Sequence, residues 1–102
     1  MYLILTVQPV ANNHYRFGMS RSDKIIITQR LRGYNILIDL PGVERSIVEA
    51  NTFFRFGNLI NGTINQWIID NNYGHVPNQQ EPTKLVFRLR RNIFSYYTNQ
   101  AN

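Results

Sequence analysis

The chain has 102 residues, no cysteine and a formal charge of +5. That length suits one domain with a real core, and the missing cysteine excludes disulfides, thiolate metal sites and cysteine catalysis. The charge reflects scarce acids: there are 11 Lys and Arg against 6 Asp and Glu, and only 17% of residues are charged. Nine of the eleven cations are Arg, whose planar fork suits interfaces better than the lysine ammonium. Ile, Val, Thr, Tyr, Phe and Trp make up 37 of the 102 residues, whereas Ala and Glu occur three times each and Lys twice. Side chains stiff at χ1 favour strands, and good surface helix formers are nearly missing.

In chain order, Tyr2 to Val7 reads as a strand ended by Gln8-Pro9. Ala11-Asn12-Asn13 is a turn, and Tyr15 to Met19 resumes an extended pattern. Ser20 to Asp23 reads as another turn. Lys24 to Arg32 then alternates, and Tyr34 to Leu40 alternates after Gly33 with Tyr34, Ile36, Ile38 and Leu40 on one face. Two alternating runs around a glycine predict a hairpin. Val43 to Ala50 fits a short helix or a strand.

Residues 51 to 72 support two readings. As helix, Phe53, Phe56, Ile60, Ile64 and Trp67 form an apolar stripe, at the expense of the interior glycines Gly57 and Gly62. As strands, Asn61-Gly62 makes a tight turn that sets Phe56 opposite Trp67 and Leu59 opposite Ile64. The hairpin is preferred, and Asn61-Gly62-Thr63 is read as a turn although it matches a glycosylation sequon. Asn71 to Pro82 is a polar loop. Thr83 to Arg91 is a strand with Lys84, Val86, Arg88 and Arg90 on one face and Leu85, Phe87 and Leu89 on the other. The tail, 92 to 102, is an edge strand or an arm that orders on a partner. The expectation is a mainly β fold, one domain over residues 1 to 102: a small antiparallel sandwich or barrel with at most one short helix. The alternative is α+β with a helix in 52 to 72.

Catalytic and metal-binding patterns are missing. His14 and His75 fall in predicted turns without other ligands at metal spacing. No phosphate-binding glycine loop or nucleophile elbow occurs, and the six carboxylates are scattered. A metal-independent ribonuclease toxin would draw on His14, Arg88, Arg90 and Tyr96, a set that any basic, Tyr-rich chain supplies. Cations and aromatics interleave at Tyr15-Arg16-Phe17, around Arg55 and from Phe87 to Arg91. That pattern also fits a single-stranded nucleic-acid binder. No cofactor, metal or small-molecule substrate is expected.

One wider pattern remains. An early strand carries Gln8-Pro9, and a later one reads Tyr34-Asn-Ile-Leu-Ile-Asp-Leu40. Ser46-Ile-Val-Glu-Ala50, Phe53-Phe-Arg-Phe-Gly-Asn-Leu-Ile60 and the Asn61-Gly62 turn follow, then His75-Val-Pro77 and Thr83-Lys-Leu-Val-Phe-Arg-Leu89. This order and length resemble the small β-rich plug proteins of contractile phage-tail baseplates. The chain departs from them at Asn35 to Leu37, where such proteins often carry a tryptophan. The resemblance implies a non-enzymatic structural role that closes the central channel and contacts hub or tube proteins. The protein would then reside in the virion, made in the host cytoplasm without a signal peptide or membrane span. The candidate partner contacts are Arg30, Arg32, Arg88, Arg90, Arg91, Tyr73, His75, Tyr96 and Tyr97.

Overall fold

The strand expected over Lys24 to Arg32 is a helix in the computed structural model, which describes residues 1–74 and 81–100. The elements run β1 (Tyr2–Ala11), β2 (His14–Gly18), α1 (Arg21–Arg30), β3 (Ile36–Asp39), β4 (Ser46–Val48), α2 (Ala50–Phe56), α3 (Gly62–Asp70), β5 (Lys84–Arg90) and β6 (Ile93–Tyr96). The six strands form one curled, half-barrel sheet in the order β2-β1-β5-β6-β3-β4. All neighbours are antiparallel except β3 and β6, which are parallel. The domain is therefore β-rich with three short helices, where at most one was expected.

Local chemistry explains these departures. Ser20 caps α1, its Oγ accepting from Asp23 N at 3.2 Å, and Asp23 favours the positive end of the helix. The helix buries Ile27, and Leu31, four residues on, is buried just past its end. Ile25 and Ile26 are left exposed. A 3.6-residue stripe thus prevails over a two-residue alternation. Gly33, at φ 85°, belongs to the connection after the helix and turns no hairpin.

The preferred hairpin over 51 to 72 is also replaced, here by two helices. Gly57 ends α2 in the left-handed region at φ 66°, and Asn61 caps α3, its Oδ1 accepting from Ile64 N at 2.7 Å. The Asn-Gly pair starts a helix because Asn61 is extended and Gly62 is the first helical residue. Ile64, Trp67 and Ile68 are buried, whereas Phe56 is exposed.

Two smaller corrections concern the strands. β1 continues through Pro9, which pairs with Tyr15. Odd residues of β1 bond toward β5, as Val7 does to Thr83 O at 2.9 Å. Pro9 lies past the end of β5, so its missing N–H removes no ladder bond. The expected edge strand in the tail is β6, and it is interior, between β5 and β3.

The inner face carries the core. Leu3, Leu5 and Val7, Phe17, Ile36 and Ile38, Leu85, Phe87 and Leu89, and Phe94 are all buried against the helices. Phe87 lies 5.2 Å from Phe17 and 5.7 Å from Tyr96, ring to ring. Trp67 closes the cluster over Tyr96 at 5.4 Å and donates from its indole to Pro41 O at 3.1 Å.

One segment ties both sheet edges. Leu59 exchanges two backbone bonds with Phe17 on β2, at 3.0 and 2.9 Å. Asn65 Oδ1 accepts from Tyr15 N at 2.8 Å. Asn61 Nδ2 donates to Ser46 Oγ and to Ile47 O on β4, both at 3.1 Å. The open side of the half-barrel is thereby closed by residues 59 to 65, and its strand edges are blunted.

Candidate functional site

Strand alternation puts the second face of the sheet outward. Three rows of side chains cross it, as read from the register. Ile47, Leu37, Ile93 and Arg90 form one. Asp39, Ser95, Arg88 and Tyr2 form the next. Val86 and Ile4 continue beyond Arg88 and Tyr2, with Tyr97 N donating to Val86 O at 3.0 Å.

The helices pack on the inner face, and this outer face keeps Tyr2, Ile4 and Ile47 exposed by 59%, 55% and 53%. Exposed apolar side chains on a sheet face with cations along it make this face the candidate for contact. Tyr97 meets Tyr2 edge-on at 5.6 Å, and the Arg88 guanidinium lies 6.0 Å from the Tyr2 ring centre. The Gln100 side chain pins the tail, accepting from Val86 N at 2.7 Å and donating to Val86 O at 2.9 Å.

Asp39 is an acid on this face, and Arg45 grips it through two bonds of 2.7 and 2.9 Å. Hydrogen bonding from Arg45 holds the Asp39 carboxyl below its ordinary value. A slight burial opposes that shift and the guanidinium charge assists it. The pair neutralises that acid.

The candidate contacts fall into two groups. Arg30, Arg32, Arg88, Arg90 and Arg91 are all exposed and gather at one end of the sheet, where α1 and β5 finish. Arg30 Nη1 reaches Met1 Sδ at 3.2 Å, and Met1 N donates to Leu89 O at 3.1 Å. Arg30 and Arg91 line a common cleft of about 320 Å³. Tyr97 lies on the open face. Tyr73 and Tyr96 are half-buried against Trp67, at 5.5 and 5.4 Å. His75 lies outside the described residues. Sequence reasoning missed Tyr2, Ile4 and Ile47, although the outward parity of their strands was the signal that identifies them.

The ribonuclease set does not assemble. Tyr96 packs on the inner face against Phe87, whereas Arg88 and Arg90 point outward. His14 pairs with Ala11, roughly 30 Å along β1 from Tyr2, the partner of Arg88. Among the described residues, no three His, Asp or Glu side chains group for a metal, and no helix is long and apolar enough to cross a membrane. Comparison of the chain with family models, curated proteins and solved structures yields no match.

Proposed function

We propose that this chain is a non-enzymatic assembly module that docks on a larger protein complex through the open face of its sheet. In the setting implied by the sequence resemblance, it is a structural component of a contractile-tail baseplate. It seats against hub or tube proteins, closes the channel between them and resides in the virion. The observation that carries the reading is a six-stranded sheet covered by helices on one face only, with Tyr2, Ile4 and Ile47 exposed beside Arg88 and Arg90 on the other. Tyr and Arg are the residue types enriched where binding energy concentrates, and apolar neighbours exclude water around them. A photo-crosslinking residue at Tyr2 or Ile47 tests this in assembled tails. The expected result is a covalent adduct with a hub or tube protein. Adducts confined to other copies of this chain, or no adduct from either position, would sink the reading.

A second reading has one observation of its own. Tyr2, with Tyr97 edge-on to its ring and the Arg88 guanidinium 6.0 Å from its centre, offers an exposed aromatic beside a cation for a single-stranded base. It predicts retention on single-stranded DNA or RNA that weakens steeply as salt rises. No retention at about 50 mM salt discards it.

A further inference from the structure

The arginine-rich end of the sheet contains a built cleft. Its wall is Arg30 and Leu31 from the end of α1, with Tyr34 beyond them, and Arg91 with Asn92 from the turn between β5 and β6. Leu31 is buried and supplies a carbon floor, while Tyr34 is 64% exposed. The turn is anchored on both sides. Asn92 Nδ2 donates to Asn35 O at 2.9 Å, and Asn92 O accepts from Leu37 N at 2.8 Å. The turn that carries Arg91 is therefore held in place, while the Arg91 guanidinium has no ion pair among the described residues.

Two further observations converge here. Arg91 sits at φ 54°, in the left-handed region of a two-residue hairpin turn. Glycine and asparagine suit that position, and a long side chain with a Cβ is strained in it. Such conformations persist only where the surrounding structure holds them, and they cluster at functional sites. The second observation is unspent charge. Among the described residues, the one ion pair is Arg45 with Asp39, so none of the five arginines at this end meets a carboxylate. Glu49 adjoins Ala50, whose N–H donates to Asn35, and it too forms no ion pair with them.

We propose that this cleft seats an acidic segment of the partner protein, with Arg30 and Arg91 each taking a carboxylate and Tyr34 packing on the segment's carbon. The proposal rests on the assembly reading above and assigns the partner its chemistry. Guanidinium forks pair with carboxylates in two parallel hydrogen bonds. Phosphodiesters offer the same acceptors, but a single strand needs a cationic track several nucleotides long. Elsewhere on the open face Arg45 is paired with Asp39 and Arg16 is bonded to Gln8 at 3.0 Å, which leaves Lys84. The charge is concentrated at one end and lacks such a track.

The test measures fluorescence anisotropy with a labelled hexaglutamate peptide and a labelled hexathymidylate at equal, low salt. The wild type is expected to bind the peptide in preference to the oligonucleotide. Arg30→Glu should weaken peptide binding by about tenfold or more. Arg91→Gly is the decisive variant, because it relaxes the turn while deleting the cation. It should melt as high as the parent or higher, and bind the peptide several-fold more weakly. An Arg91→Gly protein that binds as well as the parent overturns the site, and so does preference for the oligonucleotide. Incorporation into assembled tail particles separates the two levels. If the wild type and a chain carrying both Arg30→Glu and Arg91→Gly enter equally, the cleft has no role in docking although the assembly reading survives. If the wild type does not enter at all, the partner is wrong whatever the peptide shows.

Discussion

Replacing Asn61 by alanine tests how the half-barrel is closed. Its Oδ1 caps α3 and its Nδ2 holds the β4 edge, so one side chain joins a helix to a strand. Loss of an N-cap acceptor costs about 1 kcal/mol. The bond to Ser46 is partly buried and the one to Ile47 is exposed. Water replaces the exposed donor readily, so the two donations together add about 1 kcal/mol. The expected loss is about 2 kcal/mol, or roughly 10 °C in melting temperature for a domain of this size. Asn61→Asp divides the sum. It keeps the acceptor and adds a negative charge at the helix N-terminus, which is favourable. It also removes both donors and points a carboxylate at the Ile47 carbonyl. Urea unfolding should place it about 1 kcal/mol below the wild type, with an unchanged slope. Amide exchange at Ile64 should quicken in Asn61→Ala and stay slow in Asn61→Asp. An aspartate variant as stable as the wild type would refute the edge clamp. An alanine variant as stable as the wild type would refute both contributions.

The remaining predictions concern other parts of the fold. Asp39, held below its ordinary value by Arg45, lends stability above the usual carboxylate range near pH 4 that is lost as pH falls through its lowered value. Carbon-detected NMR titration should show the Asp39 value return to the ordinary range in Arg45→Gln, and added salt should narrow the difference because the pair is exposed. Phe87→Ala removes the ring between Phe17 and Tyr96 and should cost about 3–5 kcal/mol, read as a lower urea midpoint and weakened near-ultraviolet dichroism. Gly57→Ala forces a Cβ into the left-handed end of α2 and should cost about 1 kcal/mol by the same assay. The atoms nearest that Cβ belong to the Lys24 side chain, at 3.0 Å, which can move aside.

Legibility followed the source of each signal. β5 was readable because its alternation reports burial directly: Leu85, Phe87 and Leu89 are inside and Lys84, Arg88 and Arg90 outside. Residues 24 to 32 misled because three consecutive isoleucines satisfy both periods, and only the core decides which of them is buried. Asn61-Gly62 misled because asparagine serves both a tight turn and a helix cap, and the choice depends on the backbone of Asn61. The arginines were visible as residue types, but their gathering at one end was not. It requires the C-termini of α1 and β5 to meet, which is a property of topology.

By itself the sequence determined the absence of thiol chemistry, a β-rich domain of limited charge, and the inner and outer faces of β5. These follow from composition and from the two-residue period of a strand. Tertiary structure alone decided that Arg21–Arg30, Ala50–Phe56 and Gly62–Asp70 are helices, that the tail supplies an interior strand, and that five arginines share one end. The physical reason is that long-range burial and edge pairing outweigh local propensities worth only fractions of a kcal/mol per residue.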